Sequence, residues 1–360
     1  EMAEIGLMEY GKPFGYQRFL DRMPESQKQM LIDNEIAPRA IDREVASSLH
    51  MTHMGCSSKP EALVKQAIRC GLADGWGGSM MGTEFSDVLF GTPHPIDTEA
   101  NLGVMVEENV NIVVHGHDPS LSEMVCEYAD SPEMIAYAKE MGAKGITISG
   151  VCCTSNEVTM RRGIPMAGNF LQQENVILTG ACEAIVVDVQ CIFPALGPLS
   201  KCFHTKFITT SPIAQIPDSE YIPFSPETAG ETAKAIVKAA IDNFKNRKPE
   251  LVYIPEQKQK ATVGYSVEAI VKTLDGVTNS QVDVLGTTKP LLECVTSGVI
   301  RGAVAMVGCN NPKVRPDTAH IGMMKKFLEN DIVVITTGCS AQAAAKAGLM
   351  DKAAKDICGA

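Results

Sequence analysis

GITISGVCC (residues 145–153) decides the fold. It is a short β-rich apolar run that ends in a turn, and two thiols, Cys152 and Cys153, sit at that turn. The same grammar recurs in EAIVVDVQC (183–191), GAVAMVGC (302–309) and DIVVITTGC (331–339), which place Cys191, Cys309 and Cys339. NIVVHGH (111–117) ends in His115 and His117 instead. Apolar runs of this length, alternating with helical patterns, predict parallel strands linked by crossover helices. In such folds the strand ends converge on one edge of the sheet, where ligands sit. One buried cysteine is an ordinary small hydrophobe. Several thiols and an imidazole at equivalent strand ends predict a soft metal site, an iron–sulfur cluster before others.

The surrounding pattern supports this. Helical periodicity runs through SLSEMVCEYADSPEMIAYAKEMG (120–142), with Ser120 or Ser122 as expected caps, and NEVTMRRG (156–163) reads as a short helix. ENVILTG (174–180), AIVVDVQ (184–190) and KFITTS (206–211) continue the rhythm. SPETAGETAKAIVKAAIDNFKNRK (225–248) is an amphipathic helix opened by Ser225 and Pro226. Beyond the polar, basic segment KNRKPELVYIPEQKQK (245–260) the rhythm repeats. Helices are expected at 266–274, 290–301, 318–330 and 340–350, and strands at QVDVLG (281–286), GAVAMVG and DIVVITTG. Before residue 95 the pattern is helical, and the Gly-rich GWGGSMMGTEF (75–85) reads as a loop or close-packed turn. The expected fold class is α/β: a helical N-terminal segment (1–94) followed by two Rossmann-like parallel-sheet domains (95–250 and 251–360).

Bulk composition sets limits. The 360 residues suffice for two or three cores, with 45% hydrophobic and 21% charged residues. Twelve cysteines scattered over so long a chain do not suit a small secreted disulfide scaffold. A net charge of −11 argues against a nucleic-acid partner. No apolar run reaches membrane-spanning length and no secretory signal is read, so a cytoplasmic location is expected.

Other candidates read more plainly. In HGH, alternation along an extended segment puts both imidazoles on one face, one to ligate and one to hydrogen-bond. His50, His53 and Cys56 (HMTHMGC) have ligand-like spacing within a helical region, where a structural role is favoured. His204 reads as packing. GWGGSMMG lacks the lysine of a phosphate loop.

Taken together, ADGWGGSMMGTEFSD, LFGTPHP, VVHGHDPSLSE, GVCCTSNEVTMRRG, VVDVQCIFPAL, KFITTS, VGCNNPK and TTGCSAQAAAKAG resemble the catalytic subunit of anaerobic nickel–iron carbon monoxide dehydrogenase, a relative of the hybrid-cluster (prismane-like) proteins. The motifs run in family order through essentially the whole chain. The resemblance implies an oxidoreductase that interconverts CO + H2O with CO2, two electrons and two protons at a Ni-Fe-S cluster. It implies metal and cofactor ligands at His117, with His115 as the alternative, and at Cys153, Cys191, Cys309 and Cys339. His117 and Cys153 are the implied catalytic pair, and Cys152 matches a non-ligand position. It further implies a homodimer, a ferredoxin-like electron acceptor and an acetyl-CoA synthase partner in some members. The family's further [4Fe–4S] cluster motifs, a final cysteine ligand and a catalytic lysine find no match here, and Cys358 lacks the context of that last ligand. The alternatives are a hybrid-cluster-type hydroxylamine or nitric oxide reductase, which holds only iron, and a non-catalytic structural module.

Overall fold

The computed structural model describes residues 9–12, 14–274 and 289–357. The expected strand 281–286 and Cys358 lie outside these residues. The chain forms two compact units that meet in sequence between Thr92 and Pro93.

The first unit is helical, with α1 (Glu25–Asp33), α2 (Ile41–Met51), α3 (Pro60–Asp74) and α4 (Gly82–Phe90). The segment expected as a loop is instead a π-helical turn, Gly75–Met81, that joins α3 to α4. Its glycines carry the reason. A Cβ on Gly77 would lie 2.0 Å from Ile41 Cδ1, so only a bare backbone lets α2 pack this closely. Glu44 is fully buried and is satisfied by Arg39 Nε at 2.8 Å, the Arg39 amide at 2.9 Å and Gln66 Nε2 at 3.1 Å.

The second unit is built on an eight-stranded sheet. Its strands are β1 (Ile96–Ala100), β2 (Val110–Gly116), β3 (Ile146–Val151), β4 (Met166–Gly168), β5 (Cys182–Val187), β6 (Lys206–Thr209), β7 (Glu220–Tyr221) and β8 (Gln259–Val263), in the order β7-β6-β5-β2-β3-β4-β1-β8. All neighbours run parallel except β8, which returns antiparallel to β1. β9 (Gly302–Met306) and β10 (Ile332–Thr336) form a separate parallel pair. The helices are α5 (Pro119–Ala129), α6 (Pro132–Glu140), α7 (Cys152–Arg162), α8 (Gln173–Leu178), α9 (Leu196–Cys202), α10 (Ala229–Asn243), α11 (Val267–Leu274), α12 (Lys289–Thr296), α13 (Thr318–Leu328) and α14 (Gly338–Lys346).

Strand alternation divides the core. Val110, Ile112, Val114, Ala184 and Val186 face one cluster that includes Val125 of α5 and Ile236 of α10. Val113, Ile185 and Val187 face the other, with Val176, Leu196 and Cys339. The single helix expected over 120–142 is broken at Ser131-Pro132, because proline starts a helix more readily than it continues one. The caps differ accordingly: Asp118 accepts from the Ser120 amide at 2.9 Å, and Ser131 Oγ accepts from the Met134 amide at 3.3 Å.

Candidate metal centre

The order of the strands locates the site. β2 connects onward to β3 on one side, while β5 lies on its other side, so chain direction across the sheet reverses between β2 and β5. The carboxyl ends of strands at such a reversal open a crevice. His117 follows β2, Cys152 and Cys153 follow β3, and Cys191 follows β5. Cys309 follows β9 and Cys339 follows β10.

Left-handed backbone turns the thiols inward. Cys152 has φ +67°, Gln190 +63° and Cys191 +59°, values that side-chain-bearing residues adopt at a cost of about 1–3 kcal/mol each. Gly116 has φ +131°, and a Cβ there would lie 2.1 Å from Asp188 Oδ1. Asp188 needs that space. Its carboxylate accepts from the His117 amide at 2.6 Å and from the Val189 amide. Burial raises the Asp188 carboxyl to about 6 against those hydrogen bonds.

The donor atoms of His117, Cys152 and Cys191 all lie within 4.8 Å of one another, the only such group among the described residues. Further thiols lie within interaction range: Cys152 is close to Cys153, Cys191 and Cys339, and His117 to Cys153 and Cys191. Cys309 sits at the rim, close enough to feel the charges of Cys339, Cys191, Cys153 and His117. The structure therefore brings together His117, Cys153, Cys191, Cys309 and Cys339, and adds Cys152.

Electrostatics divides the protons unequally. Cys152 keeps its proton, because the thiols of Cys153, Cys191 and Cys339 crowd around it and its side chain is fully buried. Its hydrogen bond pulls Cys153 down to about 5 against burial, with help from His117. The same two partners hold Cys191 at about 5. Cys339 is lowered by Cys152, against burial, and by the backbone amides of Asn310 and Phe170. Cys153 and Cys339 also lie in the first turns of α7 and α14, where the helix dipole favours a thiolate. Burial disfavours charge on His117, but the neighbouring thiolates outweigh it and raise the imidazole to about 11. A cluster of thiolates with one imidazole is the donor set that soft metal ions and iron–sulfur cores take.

The two histidines part company. His117 Nδ1 donates to Val189 O at 2.9 Å, which leaves Nε2 for the thiolates. His115 is fully buried, donates from Nε2 to Gln173 Oε1 at 3.1 Å, and is driven down to about 4 by burial. The turn at Gly116 breaks the alternation that would have put both rings on one face.

Three supporting residues went unnoticed in the sequence. Gln173 Nε2 donates to Cys191 O at 2.9 Å and Phe170 O at 2.6 Å, while its Oε1 accepts from the Phe193 amide at 2.9 Å. Gln342 Nε2 donates to Cys152 O at 2.7 Å. Asp188, within VVDVQC, had one legible signal: a carboxylate closing an apolar strand. His204 pairs with Glu183 at 2.8 Å, away from the thiols. His50, His53 and Cys56 are exposed in the first unit.

The fold and this donor set define a class with a candidate soft-metal site at the strand ends, and comparison with known proteins narrows it. The family model described as Prismane/CO dehydrogenase family matches residues 1–360, and the chain belongs to that family. Carbon monoxide dehydrogenase 1 of Methanosarcina acetivorans is 47% identical over 359 residues, covering 100% of this chain and 56% of that protein. The carbon monoxide dehydrogenase/acetyl-CoA synthase subunit beta of Moorella thermoacetica is 43% identical over 331 residues, covering 91% of this chain and 48% of that one. The as-isolated, nickel-free crystal structure of carbon monoxide dehydrogenase from Thermococcus sp. AM4 superposes with a TM-score of 0.91 at 48% identity, over 100% of this chain and 55% of the other. The chain thus spans about half the length of the relatives it matches.

Proposed function

We propose that this chain carries the active-site metal centre of an anaerobic carbon monoxide dehydrogenase. The observation that supports it above all is the meeting of thiols from two separate sheets with one imidazole. His117, Cys153, Cys191, Cys309 and Cys339 are the proposed ligands of a Ni-Fe-S cluster. When bound, that cluster supplies the redox chemistry that interconverts CO and water with CO2, two electrons and two protons.

The protein's own part is positional and electrostatic. Val189 O fixes the His117 tautomer, so Nε2 is the ligating nitrogen and His115 is not used. Cys153 and Cys191 are already biased to thiolate, which lowers the cost of proton release when metal binds. Gln173 and Asp188 hold the backbone of the Cys191 and His117 turns. Buried, neutral His115 supports this shell without adding charge. A homodimer and a ferredoxin-like electron acceptor are part of the proposal. An acetyl-CoA synthase partner gains support from the name of the Moorella relative.

In the intact enzyme, Cys153→Ala is expected to lower bound nickel and iron and to abolish CO-dependent dye reduction. Undiminished activity with unchanged metal content would end the assignment. Iron without nickel in the parent protein would favour the hybrid-cluster reading, which uses glutamates where this chain offers Cys153.

A further inference from the structure

The two halves of the centre come from different sheets, and something must hold them in register. Cys152, Cys153, Cys191 and His117 belong to the eight-stranded sheet, Cys309 and Cys339 to the β9–β10 pair. Between them lies a largely shielded polar junction, whose charged groups are Asp317 and Lys346. Lys346 Nζ of α14 pairs with Asp317 Oδ2 at 2.6 Å, the two side chains being 11% and 13% exposed. Lys346 Nζ also donates to Gln172 Oε1 at 2.9 Å, and Gln172 Oε1 accepts from the Asn169 amide at 3.0 Å. Asn169 Nδ2 donates to Asp317 Oδ1 at 3.0 Å. Asn310 completes the ring, donating from Nδ2 to Asp317 Oδ1 at 2.5 Å while its Oδ1 accepts from the Asp317 amide at 3.1 Å.

This ring joins the 169–172 turn of the large sheet to the loop that carries Cys309 and to the far end of the helix that carries Cys339. Its two ends also reach the site along the chain: Asn310 directly follows Cys309, and Lys346 shares α14 with Cys339. Asp317 holds a left-handed backbone, φ +65°, where an aspartate gains nothing as a helix cap because its side chain makes no capping bond. That conformation is explained by what the carboxylate does across the junction.

We propose that the Asp317–Lys346 pair is a clasp that registers the second-sheet thiols against the first-sheet ligands, with Asp317 and Lys346 as positioning residues for the metal centre. The proposal deepens the metal-centre reading. It predicts that the centre's geometry depends on an ion pair that is itself no ligand. A buried pair is weak evidence of stability, since apolar replacements of both partners are often tolerated, whereas positional specificity is a role such pairs can serve.

The deciding experiment uses the metal-free, reduced chain and iodoacetamide, with alkylation mapped peptide by peptide. Cys339 is 1% exposed and reports the clasp, while Cys126, fully buried between α5 and the sheet, reports global unfolding. The double variant Asp317→Asn/Lys346→Met removes both charges at nearly constant volume, so neither is left buried alone. Cys339 is expected to react at least fivefold faster than in the parent, with Cys126 within twofold of its parent rate. Lys346→Arg, which retains the charge, is expected to keep Cys339 protected. Reconstitution with iron, sulfide and nickel is then expected to load the double variant less than half as well as the parent. A Cys339 rate below the fivefold mark, a parallel rise at Cys126, or loss of protection in Lys346→Arg overturns the clasp. Failure of the parent itself to take up metal would refute the metal-centre reading instead, and leaves the alkylation result to decide the clasp.

Discussion

The two edges of the large sheet are built on opposite principles. At the amino edge, Glu183 at the start of β5 is fully buried and fully answered. Arg247 donates to it from Nε at 2.8 Å and Nη2 at 2.7 Å, His204 Nε2 lies at 2.8 Å, and the Asn111 amide donates at 2.6 Å. Arg247 also caps the carbonyls of Asn109 and Ala181, and Asn243 spans Glu183 O and His204 O. Every charge there has a protein partner. At the carboxyl edge, thiols crowd together around His117, two of them (Cys152 and Cys191) on left-handed backbone. The first arrangement is complete without a ligand. The second concentrates donors and negative charge that a cationic core would relieve. Crowded thiols joined to strained backbone at one edge, opposite an edge whose buried charges are paired, point to the functional edge.

The contrast can be broken at either end. The largest effect is expected at the amino edge. Arg247→Met leaves the Glu183 carboxylate buried with its main partner gone, a loss of about 3–5 kcal/mol in urea unfolding. A loss under about 1 kcal/mol would show that this edge is not the stabilising one.

Next comes pH. Burial lowers His115 from the usual histidine range to about 4, so the unfolded chain binds the proton first as pH falls. Stability tied to His115 is therefore complete above about pH 6.5 and declines toward pH 4, by about 3 kcal/mol at most. Unfolding curves of the metal-free parent and His115→Gln across that window are expected to converge toward acid. Parallel curves would remove His115 as the source.

The smallest effect is at Gly116. Gly116→Ala places a methyl group against the Asp188 carboxylate in a left-handed turn, at a cost of about 2 kcal/mol. Metal loading is expected to fall by more than that modest loss of stability explains, because Asp188 holds the His117 amide. Loading equal to the parent's would sharpen the contrast differently, by making the turn structural alone.

Much of this was legible in the residues. GITISG, NIVV, GAVAM and DIVVIT announced strands by β-branched runs bounded by glycine, and the thiols stand where those runs end. The chemistry of the site followed from residue type alone, since sulfur and imidazole favour soft metals. Other features were not local. GWGGSMMG reads as a loop by propensity, yet close packing of Ile41 on Gly77 rewards a wide helical turn. Pro132 ended a helix whose apolar periodicity ran straight through it. Gln173 and Gln342 are ordinary polar residues until the fold aims their amides at the turns of Cys191 and Cys152.

The sequence by itself determined the alternation of strands and helices, the positions of the thiols at strand ends and the family to which the chain belongs. Strand order, the reversal between β2 and β5, the antiparallel return of β8 and the choice of His117 over His115 to face the thiols were decided only in the tertiary structure. The reason is physical: strand propensity and donor chemistry are properties of a few adjacent residues. Which edges meet, and which ring nitrogen is left free, depend on hydrogen bonds and packing between segments far apart in the chain.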